Sequence, residues 1–440
     1  MKRITHAILL GVVVGILAWP ATVLADKPVI TVFTVEELYS AVNDEGNMNV
    51  TVHLVAGPYI LNDSYPNGGR LVLQPGMDLV GENEYNDLDG DGVWDPLNGE
   101  RPTPSSDFVV PVTETIIDGM EISLDDQGDL IVVGHDNLVQ KLTIKNMPYE
   151  GYALIGSSAN GYPQVGWKLR VIDCLLENDS SIGLAEMGVD CVNRGSELDG
   201  ANTKCTFTGN IVRNLPNIES APDGFRIRND GSNNAKIHVT LRGNRAYSIP
   251  GRTNPPAEGH GLALYGTYFA GGNNNDVRTV SIGNVFSECG VGLVVMGSFP
   301  LFTISSGNRV SVTSNNDQII NNYTQGGVII TAAFPIGGDA FDNEAVVKML
   351  GTSFISDDGQ PENLNRFGLR QDLVALGAVP YLGFEEPIDN KASLLLRGAT
   401  SDNGDPSFAI GISDPDNEMK LIGSETAVER ANEGVDLIFF

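Results

Sequence analysis

The chain has 440 residues and a formal net charge of −29, from 56 Asp and Glu against 27 Lys and Arg. A body this acidic does not bind nucleic acid or anionic membrane through bulk electrostatics, and it repels acidic polymers unless metal ions or local arginines reverse the field. Divalent cations are the partner that the charge favours.

The start, MKRITHAILLGVVVGILAWPATVLADKP, has a basic opening (Lys2, Arg3), an apolar run from Ala7 to Trp19 and small residues at Val23-Leu24-Ala25. This is the pattern of a secretory signal peptide, expected over residues 1–25. The thirteen apolar residues fall short of the ~20 that span a bilayer, and no later segment is apolar enough. The mature chain is therefore expected to be exported, to the periplasm, the medium or the cell surface, with a charge of −29 − 2 = −31.

TVEELYSAV reads as a helix with Thr34 as its cap and Glu37 three residues on. Next comes NDLDGDGVWDPLNGE, residues 86–100. Counted from Asp87, it sets Asp87, Asp89, Asp91, Val93, Asp95 and Asn98 at positions 1, 3, 5, 7, 9 and 12, with Gly92 at the sharp turn. That is oxygen-ligand spacing for Ca²⁺, with Val93 offering its carbonyl, and four aspartates so close repel one another unless a cation offsets them. The loop looks like the calcium loops of dockerins and related extracellular repeats, except that Asn98 replaces a bidentate acid. It stands between two early strand segments, so the ion is expected to be structural rather than catalytic.

Further along the chain repeats itself. NTKCTFTGNIVRN (202–214), NAKIHVTLRGNRAYS (234–248) and DVRTVSIGNVFSEC (276–289) each carry a strand and then Gly-Asn, and Gly307-Asn308 forms a fourth pair. In one unit Ile237, Val239 and Leu241 share a face while Lys236, His238, Thr240 and Arg242 share the other. A second strand recurs as EGYALIG, IGLAEMG, DGFRIRN, HGLALYG and VGLVVMG, and a third pair appears in NEAVVKMLGTS and NKASLLLRGAT. Short strands repeating every 24–47 residues mean a solenoid whose rungs bury their apolar faces by stacking. Asparagine after glycine suits a tight corner, where both tolerate a left-handed backbone and the amide can bond its stacked counterpart.

These segments, with the opening TVFTVEELYSAVNDEGNMNVTVHLVAGPYIL, resemble the secreted right-handed parallel β-helix proteins, the pectin-lyase-like group. The fold expected is all-β: a single-stranded right-handed parallel β-helix with an N-terminal capping helix. It fills residues 26–410 as one domain, with 411–440 as a C-terminal capping segment and the chain a monomer. Cys205 falls on an inward strand position; Cys174, Cys191, Cys205 and Cys289 allow up to two disulfides, and buried free thiols remain an alternative.

The first column of the second strand reads Glu150, Ile182, Asp223, His260 and Val291. With rungs ~4.8 Å apart, Asp223 and His260 become neighbours, close enough for a carboxylate to orient an imidazole. Arg226, Arg228 and Tyr265 take the outward parity, Arg228 beside Tyr265. Asp223 and His260 have core parity by strict alternation and face outward only if the chain turns a corner at the glycine. The inserts SELDGANT, IPGRTNPPAEG and AGGNNND are expected to wall this region.

A base, a cation and a proton donor on neighbouring rungs suit proton abstraction beside a uronate carboxyl, with His260 or Tyr265 as base or acid and Arg226 or Arg228 neutralising the carboxylate. The expected function is a lyase or epimerase acting on a uronate-containing polysaccharide. A non-catalytic glycan-binding, adhesin or surface scaffold protein is the alternative. EGHGLALYG also resembles the Gly-His-Gly segment of polygalacturonases, in which Asp223 would match the general acid and His260 the supporting histidine; the family's paired-aspartate rung and its arginine-lysine motif are absent here.

Overall fold

The computed structural model describes residues 27–84, 114–122, 128–148, 152–157, 167–178, 184–215, 222–249, 259–320, 322, 327–355, 387–401, 416–424 and 435–439, with backbone alone at 252–253, 256–257, 373–378, 409–412 and 428–430. The expected signal peptide (1–25) and calcium loop (86–100) lie outside these residues.

Alternation decides the architecture. In Lys236–Arg242, Ile237, Val239 and Leu241 are buried while Lys236, Thr240 and Arg242 are exposed, so the strand hides one face and must stack on its neighbours. One coil runs Asn202–Thr208, Ile211–Arg213, Asp223–Asp230, and the next repeats the order with Lys236–Arg242, Arg245–Ile249, His260–Tyr265. Corresponding strands pair in parallel, giving a 13-stranded first sheet, a 10-stranded second sheet and an 11-stranded third sheet around one continuous core. The protein is a right-handed parallel β-helix.

The second sheet was hidden in the sequence because its members, such as Ile211–Arg213, are too short for alternation to register. The helix Val35–Asn43 forms as expected: Thr34 Oγ1 accepts from the Glu37 N–H at 3.2 Å, and the Glu37 carboxylate accepts from the Phe33 N–H at 2.7 Å. Its buried Leu38, Tyr39, Ala41 and Val42 join the core of the first coils. At the other end Glu418–Gly423 and Val435–Phe439 extend the first sheet, so the ladder of strands runs on through the tail.

The corner asparagines stack. Asn210 Nδ2 donates to Asn244 Oδ1 and Asn244 Nδ2 to Asn284 Oδ1, both at 2.9 Å. Each corner needs the left-handed backbone that precedes it, with φ of +59° at Gly243. Gly307-Asn308 is not the fourth member of this row. Asp317 takes that place, accepting from Asn284 Nδ2 at 3.1 Å, while Asn308 belongs to a row at another corner, accepting from the Asn275 N–H at 3.1 Å and donating to Asn343 at 3.0 Å. The reason is length: coils here run 33–40 residues between stacked partners, and the 24 between Asn284 and Asn308 cannot close one. Cys191 and Cys205 meet inside the coil and form a disulfide, whereas Cys174 and Cys289 are buried thiols.

Candidate active site

The site is built on the outward face of the third sheet. Asp223 pairs in register with His260, and Arg228 with Tyr265, as the repeat implies. Upstream, the register differs from the aligned column. Ala153 and Met187, rather than Glu150 and Ile182, stand in line with Asp223. Glycine followed by an apolar residue occurs more than once in the sequence before those strands, which is why the aligned column took the wrong member.

The glycine column resolves the parity question. A Cβ on Gly224 would point into the core, 2.8 Å from Ala246 Cβ and 2.6 Å from the Gly261 carbonyl oxygen. Gly224 and Phe225 therefore both face inward, and the doubling turns Asp223 outward onto the side of Arg226. Only glycine permits that close approach.

Burying two guanidinium groups demands compensation, and acids supply it. Arg226 Nε donates to Asp223 Oδ2, and its Nη2 donates to Glu186 Oε1 at 2.9 Å. Arg228 grips Asp190 with two bonds, Nη2 to Oδ2 at 2.8 Å and Nε to Oδ1 at 3.3 Å. Burial works against the Arg226 charge, but Asp223 foremost, with Glu186, outweighs it and keeps the guanidinium protonated. Burial would likewise raise the Asp223 carboxyl; the charges of Arg226 and His260 and their hydrogen bonds overcome it and hold the group below the usual carboxylate range.

His260 Nδ1 lies 2.6 Å from Asp223 Oδ1. Because the carboxylate is ionised, Nδ1 carries a proton, and whenever the imidazole is in its neutral form the lone pair is therefore on Nε2. Nε2 has no hydrogen-bond partner among the described residues. The Tyr265 hydroxyl has none either, nor does that of Tyr268, whose ring lies 4.7 Å from Arg228 Cζ and 5.6 Å from Arg226 Cζ. Burial first, then the Asp223 charge, drives the Tyr265 phenol well above its ordinary value, and burial pushes Tyr268 up to about 12. Phe269 and Phe299 continue the aromatic surface, at 4.1 Å from Tyr268 and 5.4 Å from Phe269 respectively.

All five candidates thus occupy one face: Asp223, His260 and Arg226 in direct contact, Arg228 and Tyr265 joined to them through Tyr268. Glu186, Asp190 and Tyr268 were missed. The two acids stand in EMGVDCVNR, and the misaligned column hid that Asp190 is the register partner of Arg226. Two inserts expected to form walls instead run as stacked corners, with Gly272–Asn273 paired to Ser305–Ser306. The third carries a small hairpin, Arg252–Thr253 with Pro256–Ala257, leading into His260. Among the described residues no group of three or more His, Cys, Asp or Glu is placed to hold a metal ion, and no helix is long and apolar enough to cross a membrane.

No protein-family model and no curated protein matches the sequence. Among solved structures, the chain is similar to the A-module of the Azotobacter vinelandii mannuronan C-5 epimerase AlgE4, at 13% identity over 93% of this chain and 98% of that one, with a TM-score of 0.36. It is similar also to the A-module of AlgE6, a mannuronan C-5 epimerase of the same organism, at 12% identity over 92% and 95%, with a TM-score of 0.38.

Proposed function

We propose that the protein is an exported polysaccharide-active enzyme that removes the proton beside a uronate carboxyl, as a lyase or an epimerase. The observation that carries this reading is the Asp223–His260 pair at 2.6 Å with His260 Nε2 unbonded. An imidazole held in one tautomer by an ionised carboxylate is equipped to accept a proton. The tyrosines take the opposite role. Their raised phenols stay protonated at neutral pH, so Tyr265 and Tyr268 donate, to a leaving oxygen in elimination or to the opposite face of the sugar in epimerisation.

Arg226 and Arg228 meet the substrate carboxylate while retaining their own partners. Four acids (Glu186, Asp190, Asp223 and, at 3.8 Å, Asp230) face Arg226 and Arg228, and Asp230 is shared with Arg194 at 3.8 Å, so the acids outnumber the guanidiniums by one while His260 is neutral. Ground-state attraction for a uronate is therefore weak, and the guanidiniums act most as charge builds on the carboxyl oxygens in the transition state. A polygalacturonase-like hydrolysis fits less well, because it asks Asp223 to donate a proton and its surroundings keep it ionised. The 86–100 loop completes the reading as a structural calcium clamp with no part in these steps.

One observation favours a second reading, a non-catalytic glycan-binding scaffold: both guanidiniums are already committed to protein acids. Incubating the protein with pectate and alginate separates the two. Elimination appears as ultraviolet absorbance of unsaturated products, and epimerisation in D₂O as deuterium at the carbon beside the carboxyl. Neither signal on a broad uronate panel, with glycan binding retained, would leave the scaffold.

A further inference from the structure

The outward face of the first sheet carries a second, independent feature. Lys168, Lys204, His238 and Arg278 stand in register on four consecutive rungs. His238 is half-buried and the other three are exposed, and Arg170, Lys236 and Arg242 add exposed cations on the same face. Asp276 is the single outward acid on these four strands, and Arg278 holds it at 2.6 Å. Lys168 and Arg170 reach Asp136 and Asp78 only at 4.0 and 3.7 Å. Lys204, Lys236 and Arg242 have no ion pair among the described residues.

Stability does not produce such a row. Rungs lie ~4.8 Å apart, and like charges directly opposite each other destabilise a sheet. The neighbouring column shows how this fold otherwise arranges charge. Lys236, Asp276, Arg309, Glu344, Lys391 and Glu418 alternate in sign over consecutive rungs. Arg309 pairs with Glu344 at 3.2 Å and Lys391 with Glu418 at 3.6 Å. The positive field of the row is felt locally: burial and then Arg278, with Lys204 and Lys236, push the His238 imidazole below its ordinary value against the opposing Asp276.

We propose that this face is a track for an anionic linear polysaccharide, which lies along the solenoid axis over Lys168, Lys204, His238 and Arg278. Charge spacing favours that occupant over a nucleic acid. A chain with one carboxylate per sugar is charged at intervals comparable to the ~4.8 Å rung, whereas duplex DNA carries a charge every ~1.7 Å. Besides the His238 imidazole, the outward positions of these strands hold threonines, valine and isoleucine and no Phe, Tyr or Trp ring on which bases could stack. The track deepens the uronate reading and rests on it for the identity of the polymer. The strand Asp223–Asp230 leads through one corner onto Lys236–Arg242, so a polymer held here sits beside the site, on the adjoining face.

Binding of polygalacturonate by the full chain tests this. Lys204→Glu with Arg278→Glu is expected to weaken binding at least tenfold, and added salt to weaken wild-type binding. His260→Gln, on the other face, is expected to bind as wild type while losing turnover. The reversals relieve the like charges of the row but give up the exposed Arg278–Asp276 pair, so the melting temperature should stay near that of the wild type. Lys236→Gln with Arg242→Gln, expected to weaken binding several-fold, serves should the first pair not fold. No binding by the wild type, unchanged binding in both pairs, or tighter binding of a single-stranded DNA oligonucleotide than of polygalacturonate would overturn the track. Binding without turnover would retain the track and remove the acid–base reading; turnover without track-dependent binding would do the reverse.

Discussion

Asp223 and His260 sit on neighbouring rungs with Oδ1 and Nδ1 2.6 Å apart, and the same carboxylate also accepts from Arg226. One acid therefore fixes the tautomer of the imidazole and shares a buried guanidinium with Glu186. If His260 is the base, His260→Gln should lower turnover of a uronate polymer by roughly 10²–10⁴, with the melting temperature little changed. Wild-type turnover in that variant would place the base elsewhere.

Asp223→Asn should behave differently, because it also strips a buried ion pair. The expected loss is about 3–5 kcal/mol at neutral pH, the cost of leaving a buried guanidinium short of its partner. The folded-state carboxyl is held low, so its contribution is full above the unfolded value of about 3.9 and disappears as pH falls through the lower folded value. Thermal melts should show the gap between wild type and variant closing below about pH 4. A gap that is constant with pH would mean Asp223 is not ionised in the fold.

Asp317 carries the opposite sign. It ends an asparagine row, and burial raises its carboxyl against the bonds from Ser314 and Asn284. Stability is then greatest below the unfolded value and falls as pH rises through the folded one. Asp317→Asn keeps the acceptor for Asn284 and removes the buried charge. It should be more stable than wild type at neutral pH, the advantage vanishing in acid, as read by melts across that range.

Asn244 is an interior node of the corner row, bonded to the rungs on both sides. Its Nδ2 donates to the Phe207 carbonyl at 2.8 Å and to Asn284, while its Oδ1 accepts from the backbone N–H of Asn210 at 3.0 Å. Asn244→Ala should cost about 1–3 kcal/mol for each buried group left unpartnered. Denaturant melts measure it, and a loss under about 0.5 kcal/mol, the range of an ordinary surface change, would show the row is not stabilising.

The loop at 86–100 makes a separate prediction. Excess chelator should lower the melting temperature, and calcium should restore it; sites of this kind bind at about 10⁻⁴–10⁻³ M. Asp89→Asn with Asp91→Asn should lose the response. An unchanged melt in chelator would sink the calcium clamp.

The sequence by itself determined the solenoid, because period-two burial and corner glycines are local properties that any stacked rung must satisfy. It also determined that Asp223 meets His260 and that Arg228 meets Tyr265, since both pairs lie in strands whose Gly-x-apolar pattern aligns without a gap. Tertiary structure alone decided the rest. Whether Met187 or Ile182 faces Asp223 depends on how much chain a loop absorbs, and a loop's length leaves no period to read. That choice brought Glu186 and Asp190 to the arginines. The outward turn of Asp223 came from Gly224 fitting between Ala246 and the next rung, a close approach set by backbone spacing. The basic row on the first sheet arose the same way: Lys168, Lys204, His238 and Arg278 are unremarkable in sequence and become a field only when register lines them up.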